Sequence, residues 1–183
     1  MAKVLVPLAQ GCEELEAVTV VDLLRRAGIE VITAGLDEQP VRASRGLVMI
    51  ADMTLASALL QEYDMIVLPG GLPGADNLRD DDRIIERLRS MSAAGKYTAA
   101  ICAAPKVLAH AGLLQGKRAT SYPGALATDN IAGLDYLDRA VVMDGTVITS
   151  RGPGTAMDFA LTLIEQLVGK QGRDQVEAGL QRA

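Results

Sequence analysis

The chain has 183 residues, 49% of them hydrophobic and 22% charged, with a formal net charge of −5. That length and apolar content suggest one globular domain over residues 1–183 with a real core. Only 3% of residues are aromatic and Lys and Arg form no block, which argues against nucleic acid as a partner; the opening run "MAKVLVPLAQGCEE" is too short for a secretory h-region or a membrane span. No membrane partner is expected, and the expected location is the cytoplasm.

The predicted elements alternate between short aliphatic runs and longer periodic ones, the pattern of an α/β protein. "KVLVPL" (3–8) reads as a buried strand. A helix follows over 13–28, opened by acidic residues and closed by Arg25, Arg26 and Gly28. "IEVITAG" (29–35) is the second strand, and residues 40–52 read as a short hairpin or strand extension. "YDMIVLPGG" (63–71) is a continuous apolar strand that ends in a glycine turn, as buried parallel strands do. A helix over 80–95 starts on Asp residues and stops at Gly95, the strand "YTAAIC" (97–102) comes next, and a helix over 103–114 carries Pro105 in its first turn. Asp144-Gly145 lies between alternating apolar runs in 139–152, which predicts a hairpin, and 155–169 forms a long amphipathic helix. Repeated βα units give a mostly parallel sheet with helices on both faces, and sites in such sheets gather beyond the carboxyl ends of the strands.

Three segments meet that description: "GCEELE", "PGGLPGA" and "CAAP". Cys102 sits on a strand-to-helix turn between small residues, Ala100, Ala103 and Ala104, as a nucleophile elbow requires. The start of the following helix favours a thiolate; the alternative is a buried, inert cysteine. "PGGLPGA" lacks the Lys-Ser/Thr of a phosphate loop, so it is either a turn that needs positive φ or, through the N–H groups of Gly71 and Ala103, an oxyanion hole. His110, the one histidine, lies eight residues beyond Cys102 on the same predicted helix, about 12 Å away. It is a poor base for Cys102. Glu16 falls in an otherwise apolar row with Val20, Leu23 and Ala27, and a carboxyl there has a raised pKa; Glu13 opens a similar row, so periodicity leaves both open. As ordinary residues Glu13 and Glu14, like Asp80, Asp81 and Asp82, complement helix dipoles. The two cysteines, ninety positions apart, read as free thiols, with Cys12 an ordinary, accessible one.

Taken in register, "GCEELEAV", "IVLPGGLPGA", "AAICAAP" and "TSRGPGTAMDFAL" resemble the ThiJ/PfpI superfamily, and within it the protein deglycase branch. The resemblance runs from the first strand to the long helix. It implies a flavodoxin-like three-layer sandwich, a homodimer, and an oxidation-prone cysteine on the elbow. Carried over, the cysteine is Cys102, its protonated partner is Glu16, and the oxyanion N–H groups belong to Gly71 and Ala103. Arg45 and Arg151 match arginines near the pocket, the first reaching across the dimer, and an arginine pair there suits an anionic product or a cysteine sulfinate. As ordinary residues each would be a surface ion pair. One departure stands out: several relatives with glyoxalase activity carry a histidine in the stretch matching "ATSYPGA", where this chain has Tyr122. Tyr122 donates a hydrogen bond but is a reluctant base. A protease or amidotransferase of the wider superfamily would need a histidine that the chain does not supply there.

Two readings result. One is a cysteine-dependent deglycase or glyoxalase-type enzyme acting on methylglyoxal and glyoxal, or on glycated proteins and nucleotides, with no cofactor and no metal. The other is a redox-sensing stress chaperone in which Cys102 is oxidised to sulfinate without obligatory turnover.

Overall fold

The computed structural model describes residues 1–126 and 131–182. Its centre is a seven-stranded sheet whose order, β10-β11-β7-β6-β1-β2-β5, is built from β1 (Lys3–Leu8), β2 (Glu30–Gly35), β5 (Met53–Thr54), β6 (Met65–Leu68), β7 (Tyr97–Ile101), β10 (Val141–Asp144) and β11 (Val147–Ser150). All neighbours are parallel except the β10–β11 hairpin at one edge. The five strands β2-β1-β6-β7-β11 follow the doubly wound flavodoxin-like order, with its topological switch between β1 and β6. Two small ribbons flank the sheet: β3 (Val41–Arg42) with β4 (Val48–Met49), antiparallel, and β8 (Arg118–Ala119) with β9 (Asp135–Tyr136), parallel.

Strand side chains alternate between the two faces, and both faces are dry. Val4, Val6, Met65, Val67, Ala99, Ile101 and Ile148 join the core under α1 (Glu14–Arg26) and α6 (Ala156–Gly179). Leu5, Ile66, Leu68, Ala100 and Val147 join the core under α2 (Leu55–Ala58), α3 (Gly74–Arg79), α4 (Asp82–Ala93) and α5 (Pro105–His110). This is the three-layer α/β sandwich expected from the alternation of runs. No helix among the described residues is long and apolar enough to cross a membrane.

Local chemistry sets most boundaries. α1 has Glu14 and Glu16 in its first turn and Arg25 and Arg26 in its last, matching its dipole, and Gly28 follows at φ 74. Asp81 caps α4 by accepting the Arg83 N–H at 3.0 Å. Three expectations shift. The helix after Cys102 is shorter than 103–114, because regular turns occupy only Pro105–His110. In the predicted hairpin Asp144 pairs with Val147, so the two-residue loop is Gly145-Thr146 rather than Asp144-Gly145. Gly145 there takes φ 62, the left-handed conformation that the turn needs. The last helix does not stop at Gly169: the chain turns through φ 83 there and re-enters helix up to Gly179, where Val176 returns to the α1 side of the core.

Phe159, the chain's one phenylalanine, is fully buried between α6 and the sheet. Phe159→Ala is expected to lower unfolding free energy by about 3–5 kcal/mol, read as an earlier urea midpoint with an unchanged slope; a loss below about 1 kcal/mol would show that α6 packs on the sheet through other side chains.

Candidate active site

Three turns converge beyond the carboxyl ends of β1, β6 and β7. The turn after β1 runs Gly11-Cys12-Glu13, and its Glu13 N–H donates to Gly70 O at 2.8 Å. The turn after β6 holds Gly70 and Gly71. A Cβ on Gly71 would stand 2.4 Å from Glu13 N, and one on Gly70 would stand 2.6 Å from Cys102 Cβ and 2.8 Å from Ile101 O. These glycines are therefore demanded by space, and for Gly71 also by its φ of 85. Backbone meets backbone here, which is what lets the three turns share one small volume.

The third turn is the elbow. Cys102 has φ 63, a left-handed conformation rare for a residue with a side chain. Two hydrogen bonds hold it there: Cys102 N–H donates to Ser150 O at 2.9 Å, and Tyr122 N–H donates to Cys102 O at 2.8 Å. Ala100, Ala103 and Ala104 are buried around it, leaving Cys102 itself 8% exposed. Strain of this kind persists only where the surroundings over-determine it.

The sulfur faces the backbone N–H groups of Gly71 and Ala103, both hydrogen-bonded to it, and the carboxyl of Glu16. Glu16 is fully buried, and its Oε2 accepts the Gly70 N–H at 2.8 Å. Oε1 has no partner that meets hydrogen-bond geometry, and the carboxyl also interacts with the Cys102 thiol. Between Glu13 and Glu16, the structure places Glu16 at the sulfur. Burial pushes the Glu16 carboxyl up to about 7, against the pull of the Gly70 N–H and the Cys102 thiol; at neutral pH it holds a proton about half of the time.

Burial likewise pushes the Cys102 thiol up to about 12, with the Glu16 charge and hydrogen bond adding to it and the Gly71 and Ala103 N–H groups opposing. The N–H groups at the helix start do favour the thiolate, as expected, and the desolvation of the sulfur works against them. The two groups act as one unit that resists a second negative charge, so from about pH 7 to about 12 a single proton lies between them. Cys12, expected to be accessible, is fully buried, and burial followed by the Glu14 charge raises its thiol to about 11. The close approach of Gly74 to Cys12 N, where a Cβ would come within 2.5 Å, shows why: α3 begins directly on top of it.

The other site candidates stand further out. Tyr122 joins the site through its backbone, while its ring is 53% exposed and lies beside Gly152. The guanidinium of Arg151 pairs with Asp138, the surface ion pair that was its ordinary reading. Arg45 has an exposed side chain, and its backbone N–H donates to Glu14. His110 is exposed on α5. Sequence reasoning missed Gly70 and Ser150. The adjacency of two glycines signalled the first, but Ser150 acts through its carbonyl, which leaves no trace in residue type.

The unfolded chain gives up the Glu16 proton near 4.5 and the folded chain near 7, so the folded state binds more protons in that window and loses stability as pH rises through it. The loss is on the order of 3 kcal/mol. Glu16→Gln is expected to be more stable than the parent at pH 7.5 and to show no such slope, measured by urea unfolding from pH 4 to 8; a parental slope in the variant would assign the titration elsewhere. Gly70→Ala is expected to cost about 2–3 kcal/mol from the clash with Cys102 Cβ, and a neutral outcome would mean the turn relaxes freely.

The sequence profile of the DJ-1/PfpI family matches residues 2–166. The chain is 44% identical over 178 residues to protein dj-1beta of Drosophila melanogaster, covering 96% of this chain and 95% of that protein. It is 36% identical over 170 residues to the glutathione-independent glyoxalase DJR-1.2 of Caenorhabditis elegans, covering 93% and 90%. The crystal structure of Drosophila melanogaster DJ-1beta superposes with a TM-score of 0.94 at 43% identity, over 100% of this chain and 98% of that one. An elbow cysteine, a buried carboxyl against it and a match spanning nearly every element lead to one assignment: the chain belongs to the DJ-1/PfpI family.

Proposed function

We propose that the chain is a cofactor-independent, glyoxalase-type enzyme that converts methylglyoxal or glyoxal to lactate or glycolate, with glycated amines and thiols as further substrates. The observation that carries this reading is the left-handed Cys102 elbow, with the buried Glu16 carboxyl against its sulfur and the Gly71 and Ala103 N–H groups facing it. A relative named as a glutathione-independent glyoxalase supports it.

The chemistry follows from that arrangement. As the sulfur adds to the aldehyde carbon, a C–S bond forms, the C=O π bond breaks, and the shared proton passes by way of Glu16 to the new oxygen. The Gly71 and Ala103 N–H groups stabilise that oxygen while it is charged. Glu16, now a carboxylate, takes the hydrogen from the same carbon as a proton and returns it to the neighbouring carbonyl carbon through an enediol. The former aldehyde carbon is thereby oxidised to a thioester and its neighbour reduced to an alcohol, with no external electron donor. Water then cleaves the thioester, releasing the 2-hydroxy acid and restoring the thiol. In a glycated amine or thiol the aldehyde carbon is delivered as an adduct, and the leaving group is the repaired side chain. His110 is exposed on α5, so Glu16 carries the proton transfers alone.

Lactate formation from methylglyoxal without glutathione, followed by proton NMR, tests the reading. Cys102→Ser is expected to lower kcat/KM by about a hundredfold or more, and full activity in that variant would sink the proposal. The parental rate is expected to fall as pH drops through about 7, where the pair takes up its second proton and loses its base; Glu16→Gln should abolish that limb. Repair of a preformed adduct, assayed after free aldehyde has been scavenged, separates deglycation from glyoxalase turnover. Peroxide conversion of Cys102 to sulfinate with no lactate formed would favour the redox-sensing reading.

A further inference from the structure

Glu13, Glu14 and Glu16 follow one another along the turn from β1 into α1 that packs against the Cys102 elbow, while Arg151 is paired with Asp138 and the Arg45 side chain is exposed. Glu13 is coupled to the reacting pair through one residue of backbone: its N–H donates to Gly70 O at 2.8 Å, and the Gly70 N–H donates to Glu16 Oε2 at 2.8 Å. Gly71, whose N–H faces the sulfur, leaves no room for a Cβ against Glu13 N. The Glu13 carboxylate is held in place from across the turn, where Ser44 Oγ stands 2.8 Å from Glu13 Oε2 and 3.2 Å from Glu14 Oε2. Glu14 is fixed in turn by the N–H groups of Arg45, at 3.0 and 3.1 Å, and of Leu47, at 3.4 Å. Arg151 pairs with Asp138, and Arg45 contributes to this cluster by its backbone. The deeply buried Glu16 Oε1, without a hydrogen-bond partner, lies at the same place.

We propose that Glu13, clamped by Ser44, is a specificity residue that sorts substrates by charge, admitting uncharged α-oxoaldehydes and their adducts and turning away carbonyl compounds that carry a carboxylate. The inference rests on Cys102 as the reacting group. Above about pH 7 the Cys102–Glu16 pair already bears one negative charge, and the half-buried Glu13 carboxyl stands near it, open enough to solvent for salt to screen its field. The Glu13 charge is felt at both Glu16 and Cys12. Substrate and product differ in the sign that matters: the aldehyde is neutral, the 2-hydroxy acid anionic. The field that rejects an α-oxo acid therefore also drives the product out. An arginine pair poised to hold an anion, the expectation drawn from Arg45 and Arg151, would do the reverse.

The test compares alkylation of Cys102 in the folded protein by neutral iodoacetamide and anionic iodoacetate, read by peptide mass spectrometry at fixed pH. Glu13→Gln, which keeps a partner for Ser44, is expected to raise the iodoacetate-to-iodoacetamide rate ratio about three- to fivefold. In the parent, raising salt from about 0.01 to 0.5 M should move the ratio the same way, a measurement that needs no variant. A ratio unmoved by both changes overturns the proposal, and so does a Cys102 that neither reagent reaches before unfolding. The readout requires no turnover. A shifted ratio in a chain that makes no lactate keeps the charge sorting and removes the enzyme reading; lactate formation with an unmoved ratio does the opposite.

Discussion

The structure depends on two ionisable groups, Cys102 and Glu16, that have been taken out of water and set against each other. Neither Cys102 nor Glu16 is comfortable where it lies: desolvation raises both, and each makes the other's charge harder to bear. What makes the arrangement tolerable is backbone. The Gly70 N–H supports one partner and the Gly71 and Ala103 N–H groups support the other. These donors are fixed by the turns themselves and need no reorganisation when charge moves. Replacing them with side-chain donors would require room that the turns do not have.

That arrangement explains where the fold spends conformational strain. The left-handed Cys102 and the crowded Gly70 and Gly71 would not persist on a mobile loop. They persist because β6, β7 and β11 are buried on both faces, with Val67, Leu68, Ala99, Ala100 and Ile148 all inaccessible to solvent. The rigid sheet holds the ends of the strands, and the ends hold the elbow. Stability and the geometry of the elbow thus draw on the same residues: a change that loosens β7 moves Cys102, while neutralising Glu16 is expected to stabilise the chain.

Much of the fold was legible because it was written in side chains. The aliphatic runs of β1, β6 and β7 and the small residues around Cys102 carry their meaning in residue type, and the periodicity of α1 narrowed the buried carboxyl to Glu13 or Glu16 before the family resemblance chose Glu16. What escaped was written in backbone or in distance. Ser150 supports the elbow through a carbonyl, Gly169 bends a helix that a glycine was expected to end, and Cys12 is covered by a helix that starts sixty residues later in the chain. The balance between a helix start and desolvation at Cys102 was also beyond the sequence, because it depends on how much protein surrounds the sulfur. Residue pattern identifies which groups meet; their protonation is a property of the enclosure.

The two ends of the sheet carry a consequence of a different kind. One edge is β5, a strand of only two residues, and the other is β10, the outer arm of a tight hairpin. The apolar strands β1, β6 and β7, which read as adhesive sequence, lie in the middle, each between two neighbours. A neighbouring chain therefore finds little open ladder on which to add a strand. The native protein is protected from edge-to-edge polymerisation by its strand order, and this protection is lost the moment the central strands come apart. Damage that opened the sheet would expose its most aggregation-prone segments first.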